Sequence, residues 1–385
     1  MARFLNPSEI GRPEQEGLRH WSPTGLEGVI ECARRRRLRQ KFKKKLTWSD
    51  FAKGTHIHRK IEELRLNHLR EKSRYNSAEA YANVVANDWQ RGPIKEGKIR
   101  GDKIIWADEK QPYIMKNEIQ EICKRIYPIL MEEQIKNPPI IFTDLTKKGE
   151  IKYKTSYDFQ LVYKGRGFSG EIDEMRKEGG KIIIRDYKTG KWKYIEEKLN
   201  YAFQPTEYKF VACLLCIKDE NFRKALEITK EQAETLVESP ECISENIIFE
   251  YFMLDKPKEW DKEKKEFVEV KKDPIIRIER TDFHYKELCQ NIDIANTMLS
   301  DMQDQAFYPA FRGYHCKRCF YQEECDDMTR NADVNIRQSL LPTYLQYMNE
   351  RPKKFNQTNV TYEKLGMSQA EFNFMKEVKK SNKKL

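Results

Sequence analysis

An α/β or α+β architecture is predicted for this chain by three observations. Apolar residues recur at helical spacing over the first third, switch to alternation near Pro138, and return to helical spacing after Ala202. Regular strand–helix–strand units are missing, which argues against a doubly wound sheet. No glycine-rich phosphate loop of either usual type occurs, and there is no internal repeat.

The elements follow in order. Residues 1–20 carry no periodic pattern and form an N-terminal arm. Ser22-Pro23 predicts a helix start, with Ser as N-cap and Pro at the first helical position. That helix runs through Leu26, Val29, Ile30 and Ala33 into Arg34-Arg35-Arg36-Arg37. A second is expected after Gly54-Thr55, with His58, Ile61, Leu64 or Arg65, and Leu69 on one face. Helices are expected over 77–90 and 112–136, separated by a loop or hairpin from Gly92 to Lys103. Consecutive strands follow at Ile140 to Phe142, Tyr157 to Tyr163, Phe168 to Met175 and Lys181 to Tyr187, broken by Lys147-Lys148-Gly149, Gly165 and Gly179-Gly180. Beyond them come a helix from Ala202 to Ile217, β-rich pieces at Ile247 to Leu254 and Ile275 to Arg280, and a helix from Phe283 to Met302. The tail past Asp333 is lysine-rich and ends in an amphipathic helix.

Composition narrows the classes of function. The 385 residues allow one large domain or two ordinary ones, and 39% hydrophobic content is ample for a core. Lys+Arg 72 against Asp+Glu 61 leaves +11, which suits a polyanionic partner. No apolar run approaches the ~20 residues that span a bilayer. Met1 to Ile10 lacks the apolar stretch of a secretory signal. An intracellular protein without membrane attachment is expected, in cytoplasm or nucleoid, with nucleus and organelles left open. Nine cysteines in such a chain are not a disulfide scaffold; clustered ones point to metal and isolated ones to packing.

The segment richest in chemistry is Gly170-Glu171-Ile172-Asp173, followed after a Gly-Gly turn by Ile182-Ile183-Ile184-Arg185-Asp186-Tyr187-Lys188-Thr189-Gly190. Side chains two apart on a strand share a face, so Asp186 and Lys188 project together, and hairpin pairing would let Asp173 meet Asp186 across the ladder. Two adjacent carboxylates repel unless a cation lies between them, and hard oxygen ligands suit Mg²⁺ or Mn²⁺. Such an ion acidifies a bound water and neutralises charge on a phosphate, and the Lys188 ammonium would orient that water. An Asp-x-Lys triplet alone, however, is usually a solvent-facing pair of little consequence.

The surroundings set it apart. This segment resembles the core of RecB-like nucleases of the PD-(D/E)XK superfamily, in which a Gly-x-x-Asp strand precedes an Asp-Tyr-Lys-Thr-Gly strand end. Gly54-Thr55-His56-Ile57-His58 resembles the family's Gly-x-x-x-His motif, and Gln204-x-x-x-Tyr208 its Gln-x-x-x-Tyr helix motif. The resemblance implies metal ligation by His58, Asp173, Asp186 and the main-chain carbonyl of Tyr187. It implies catalytic roles for Asp173, Asp186, Lys188, Gln204 and Tyr208. His56 competes with His58, but His58 stands four residues past Gly54 as the pattern requires. Glu171 and Glu150 are further carboxylates that nothing singles out. Pro205 departs from the pattern and places the helix start near Gln204.

Near the C-terminus stand Cys316, Cys319 and Cys325 in C-x₂-C-x₅-C form. By spacing alone they fit a zinc knuckle completed by His315 or His284. Ser22-x-x-x-Leu26…Cys32-Ala33-Arg34 also resembles the first-helix pattern of the iron–sulfur branch of the family, which includes the AddB nuclease domain and CRISPR-associated RecB-like exonucleases. That resemblance implies a 4Fe–4S cluster on Cys32, Cys316, Cys319 and Cys325. Such a staple would close nearly the whole chain, worth roughly 4–5 kcal/mol by analogy with a long disulfide loop. Cys123, Cys213, Cys216, Cys242 and Cys289 are expected as packing thiols.

Arg34 to Lys45 holds nine basic residues in twelve. As a nucleic-acid contact it would act through Arg35, Arg36 and Arg39; otherwise it is a solvated face or a localisation-like run. Trp192 and Lys193, just past the Lys188 strand, are the substrate contacts nominated among nearby aromatic and basic residues.

Together these imply a restriction-endonuclease-like core, a central mixed sheet flanked by helices, with a helical N-terminal part and a C-terminal iron–sulfur segment. The expected division is an arm (1–20), a helical part with Cys32 and His58 (21–74), a helical insertion (75–140), the nuclease core (141–305), the cluster segment (306–330) and a basic tail (331–385). The implied function is metal-dependent hydrolysis of DNA, exonucleolytic on single-stranded or end-containing substrate, in repair, recombination or CRISPR adaptation, with a protein partner in such a complex allowed for. Rivals are a partner-dependent or non-hydrolytic DNA-binding subunit, and an RNA-directed or structure-specific endonuclease.

Overall fold

The computed structural model describes residues 19–69, 75–145, 149–190, 192, 195, 202–237, 243–261, 265–304, 316 and 319–325. The arm before Arg19, the tail, Lys193, His315 and Cys242 lie outside them. Described residues up to Ile30 and from Lys45 to Asp304 form one compact unit, and Glu31–Lys44 with the described residues beyond 305 form a second.

In chain order the elements are β1 (His20–Trp21), α1 (Pro23–Phe42), β2 (Leu46–Trp48), α2 (Ser49–Arg65), α3 (Ala78–Trp89), β3 (Lys98–Ile99), β4 (Asp102–Ile105), α4 (Gln111–Lys136), β5 (Phe142–Leu145), β6 (Ile151–Lys154), β7 (Tyr157–Tyr163), β8 (Arg166–Ile172), β9 (Glu174–Glu178) and β10 (Lys181–Lys188). There follow α5 (Phe203–Lys218), α6 (Glu220–Ala225), α7 (Lys230–Leu236), β11 (Ile247–Met253), β12 (Lys258–Asp261), β13 (Glu266–Glu269), β14 (Ile275–Ile278) and α8 (Asp282–Asp304).

The sheet that carries the site has the order β14-β11-β10-β9. Strands β10 and β11 run parallel from Ile182↔Ile247 to Lys188↔Met253, while β9 and β14 pair antiparallel at the two edges. This is the expected mixed sheet. Its central strands, Ile182-Ile183-Ile184 and Ile247-Ile248-Phe249, are β-branched and apolar on consecutive positions, as strands covered on both faces require. Gly179 and Gly180, with φ of +56° and +78°, close the β9–β10 hairpin in two residues, a conformation side chains disfavour.

Alternation sends odd and even positions to opposite faces. On one face Tyr251 and Phe249 pack toward α5, where Tyr208 meets Phe249 with ring centroids 6.2 Å apart. On the other, Tyr187 and Phe252 join a core with Ile57 and Ile61 of α2, Tyr81, Val85 and Trp89 of α3, and Ile119, Ile126 and Leu130 of α4. Each large apolar side chain buried there contributes roughly 1.5–3 kcal/mol. Residues 75–140, expected as an insertion, therefore share one core with α2 and the central strands.

Four expectations need correction. The second helix begins at Ser49, so Gly54 and Thr55 lie inside it. A glycine there costs about 1 kcal/mol in helix propensity, and close approach to another segment, described below, is what requires it. The single strand expected from Phe168 to Met175 is two, β8 and β9, which belong to different sheets and are parted at Asp173. The strand expected from Ile140 starts at Phe142, and the Ile140 N–H instead donates to the Met175 carbonyl. The first helix does not run unbroken: Cys32 has extended backbone (φ −167°, ψ 97°) within α1. Its start is as expected, with Ser22 Oγ accepting from the Gly25 N–H at 3.1 Å.

Candidate active site

Four segments meet at the carboxyl end of β10: that strand, the start of α5, the break between β8 and β9, and helix α2. Asp186 and Lys188 share a face of that strand, and Lys188 Nζ lies 2.6 Å from Asp186 Oδ2. Gln204, in the first turn of α5, bridges them: its Oε1 accepts from Lys188 Nζ at 2.9 Å and its Nε2 donates to Asp186 Oδ1 at 2.6 Å. Pro205 sits beside it without penalty, because the first helical turn has no internal partner for the missing N–H. Lys188 Nζ also stands 5.0 Å from the Tyr251 ring centroid.

Asp173 reaches the same place from the break between β8 and β9. The last ladder pair is Arg185↔Glu174, so Asp173 lies one residue beyond the hairpin's pairing. Its carboxylate substitutes for the lost ladder bond: Asp173 Oδ2 accepts from the Tyr187 N–H at 2.9 Å. Its carbonyl accepts from Thr155 Oγ1 at 3.4 Å.

Helix α2 supplies His58, whose Nδ1 lies 3.3 Å from Asp173 Oδ2. The competing His56 points the other way. It is 1% exposed, its Nε2 is 3.0 Å from the Val85 carbonyl, and it packs against Trp89. Burial pulls its pKa down to about 4, so it is a neutral core residue. What brings α2 close enough is Gly54. A β-carbon there would lie 2.6 Å from Thr189 Oγ1, so any other residue would force Thr189 to turn or the helix to move off the loop that follows Lys188. Gly170 plays the same part on β8, where a β-carbon would lie 2.7 Å from the Phe159 ring and 3.0 Å from the Tyr208 ring.

Electrostatics divides the two carboxyl groups. Burial pushes Asp186 above the usual carboxylate range and the Asp173 charge adds to this, with Lys188 opposing. Asp173 is held below it: burial acts upward, but His58 and the Tyr187 N–H outweigh that. His58 is raised, because Asp173 and Asp186 overcome its desolvation. Asp186 Oδ2 is buried and, although close to Lys188, has no aligned hydrogen bond. Two carboxylates of opposed pKa shift beside an imidazole are a donor set suited to a hard divalent cation. Among the described residues, no three His, Cys, Asp or Glu side chains are already arranged as a metal-holding group.

Tyr208 borders this group, beside Gln204 and in the field of Asp186 and Asp173, while the other expected residues fall elsewhere. Tyr208 is 5% exposed, and its hydroxyl donates to the Glu171 carbonyl at 2.9 Å, tethering α5 to β8 two residues before Asp173. The Tyr187 side chain points away from Asp186: its hydroxyl donates to Glu174 at 2.6 Å. Trp192 is no open stacking platform. Its indole is 5% exposed and donates to the Asp255 carbonyl at 2.8 Å. It lines a cavity of about 280 Å³ with Phe252 and Met253. Glu150 is exposed. Cys123, Cys213, Cys216 and Cys289 are buried, as packing thiols should be.

Within the second unit, Cys32, Cys316, Cys319 and Cys325 are all present. Arg34 donates to the Cys325 carbonyl at 3.4 Å and lies 3.7 Å from its Sγ. Burial raises the Cys319 thiol, and Cys316 and Cys32 act on it in the same direction. Part of the basic run is spent internally. Lys44 Nζ donates to the Phe320 carbonyl at 2.7 Å and pairs with Glu324, while Arg35 pairs with Glu31 at 2.9 Å. Arg36 is half-buried and Arg39 exposed.

One group escaped the sequence reading. Glu174, Arg185, Glu250 and Arg277 are register partners across β9, β10, β11 and β14, a row of alternating charge on the face opposite Asp186. Arg65 and Glu133 extend it: Arg65 Nε donates to Glu174 at 2.8 Å, and Arg185 donates to both Glu133 oxygens at 2.6 and 2.7 Å. The available signal was Arg185 and Glu250, single charges inside the otherwise apolar strands Ile182 to Tyr187 and Ile247 to Met253.

Two carboxylates, a lysine and a bridging glutamine thus gather at the carboxyl end of β10, beside the imidazole of His58. The family model of the PD-(D/E)XK nuclease superfamily matches residues 20–326, and the chain belongs to that superfamily. Searches of curated proteins and of solved structures returned no match. Among the described residues, no helix is long and apolar enough to cross a membrane.

Proposed function

We propose that the protein is a Mg²⁺- or Mn²⁺-dependent deoxyribonuclease that acts exonucleolytically on single-stranded or end-containing DNA. The observation that carries this reading is the convergence of His58, Asp173, Asp186, Lys188 and Gln204 from four separate segments. The imidazole, the two carboxylates and the Tyr187 carbonyl would hold the ion. When bound, it would acidify a water and neutralise charge on the scissile phosphate. Lys188, oriented by Gln204, directs its ammonium to where the attacking water and phosphate oxygen gather charge. Gln204 keeps Asp186 in one rotamer, and Tyr208 keeps the helix bearing Gln204 against β8.

We further propose that Cys32, Cys316, Cys319 and Cys325 hold a 4Fe–4S cluster, as in the iron–sulfur branch. Support comes from four thiols within one unit and from the break in the helical backbone of α1 at Cys32. Arg39 and its neighbours are the candidate phosphate contacts, and service in a repair or CRISPR complex with a protein partner fits the whole.

The test compares wild-type and Asp186→Ala protein on end-labelled linear single-stranded DNA with Mn²⁺, with and without chelator. Cleavage lost in the mutant and in chelator is expected, with circular single-stranded DNA left intact. Cutting of the circle would convert the assignment to an endonuclease. A folded wild-type protein that binds DNA without cutting it would favour a partner-activated or purely binding subunit.

A further inference from the structure

We propose that Glu174 is a positioning residue that sets Asp173 and His58 through Tyr187, an inference that rests on the metal-dependent reading above. Asp173 has no ladder partner, so its place depends on the Tyr187 N–H that it accepts at 2.9 Å. Tyr187 is in turn fixed at its far end. Its hydroxyl donates to Glu174 Oε2 at 2.6 Å, and its ring stands edge-on to His58 with centroids 5.9 Å apart. One residue therefore touches both members of the His58–Asp173 pair, Asp173 through its main-chain N–H and His58 through its ring.

Glu174 is itself immobilised. It is 0% exposed, and Arg65 grips both its oxygens, Nε at 2.8 Å and Nη2 at 3.1 Å. Arg65 is anchored to α4 through the Leu130 carbonyl and Glu133. The residue directly after Asp173 is thus clamped to α2, the helix that carries His58, by a bidentate pair that specifies direction as well as distance. Fixing one α-carbon at the sheet break and one ring on β10 leaves Asp173 little freedom. Partners behind metal ligands that fix orientation in this way are worth about 10- to 100-fold in metal affinity.

A purely structural role would lower stability and leave metal affinity alone, and Tyr187→Phe separates the two. It removes one hydroxyl while keeping the ring, the N–H and the carbonyl. Full-length wild-type, Tyr187→Phe and Glu174→Gln proteins would be titrated with Mn²⁺ by calorimetry, alongside thermal melts, with Asp186→Ala as the reference for a lost site. The expected result is a Mn²⁺ dissociation constant raised about tenfold in Tyr187→Phe, with the protein still folded. Unchanged Mn²⁺ affinity with a lowered melting temperature would overturn the proposal, as would a wild-type protein with no Asp186-dependent Mn²⁺ binding. Glu174→Gln should follow Tyr187→Phe in direction; if it does not fold, Tyr187→Phe decides alone. DNA cleavage is measured separately, so a protein that binds Mn²⁺ through Asp186 yet cuts no DNA would refute the nuclease reading and leave this test standing.

Discussion

Gly54 and Thr189 approach so closely that any β-carbon on the first would lie 2.6 Å from the hydroxyl oxygen of the second. The contact joins the helix that carries His58 to the loop leaving the strand that carries Asp186 and Lys188. It explains a glycine in the middle of a helix, and it gives the first prediction. Gly54→Ala should weaken activity and Mn²⁺ binding despite the better helix propensity of alanine, because the helix must back away or Thr189 must turn. Adding Thr189→Ala should restore part of the loss. A coupling of roughly 1 kcal/mol in a double-mutant cycle on stability is expected, and strict additivity would refute the contact.

Gln204 holds Lys188 with its oxygen and Asp186 with its nitrogen. Gln204→Ala should lower turnover on the order of 100-fold through misplacement alone, while the net loss of two hydrogen bonds costs the fold only about 1–3 kcal/mol. The measurement is kcat beside a thermal melt. A turnover within a factor of two of wild type would remove Gln204 from the machinery.

Glu133 ties the buried network to acid stability. Burial acts to raise its pKa, but hydrogen bonds from Arg185 and the charges of Arg185, Arg65 and Arg176 outweigh this and hold it at about 2, below its ordinary value of 4.5. A folded-state pKa below the unfolded one means that the unfolded chain binds the extra proton. The contribution is therefore complete above about pH 4.5 and is lost as pH falls toward 2, with a slope of up to ~1.4 kcal/mol per pH unit. Glu133→Gln should be less stable near neutral pH, and its stability should fall less steeply over that acid window. Parallel denaturation profiles for the two proteins would contradict this.

The cysteine proposal is checked by content. Anaerobically purified protein should carry iron and acid-labile sulfide. Cys32→Ala should lose both together with some stability, while Asp173 and Asp186 remain untouched. Zinc without sulfide would instead establish the knuckle that spacing alone allows.

Several features were legible because their chemistry is local. The Asp186–Lys188 pair shares a face through strand alternation alone, and the Gln204–Tyr208 spacing puts both on one turn of helix. The choice of His58 over His56 followed from its distance from Gly54, and the structure places the imidazole of His58, not that of His56, beside Asp173. Trp192 was misjudged because an exposed and a buried indole look alike in sequence. Glu174 was missed because a glutamate beside a motif aspartate gives no hint of the face it occupies.

By itself, the sequence determined the kind of chain this is: a helix–strand–helix order, a mixed sheet, and the residue types of a nuclease site on recognisable short segments. Periodicity and turn chemistry act over a few residues, so they can be read from a few residues. Only the tertiary structure decided that the chain breaks between two sheets at Asp173, that a carboxylate replaces the missing ladder bond to Tyr187, and that a row of alternating charge, buried at Glu174, Arg185 and Glu250, backs the site. Those outcomes depend on which strands become neighbours and in what register. The Gly179-Gly180 turn sets the β9–β10 register locally, but which distant strands become neighbours is decided by packing between segments far apart in the chain.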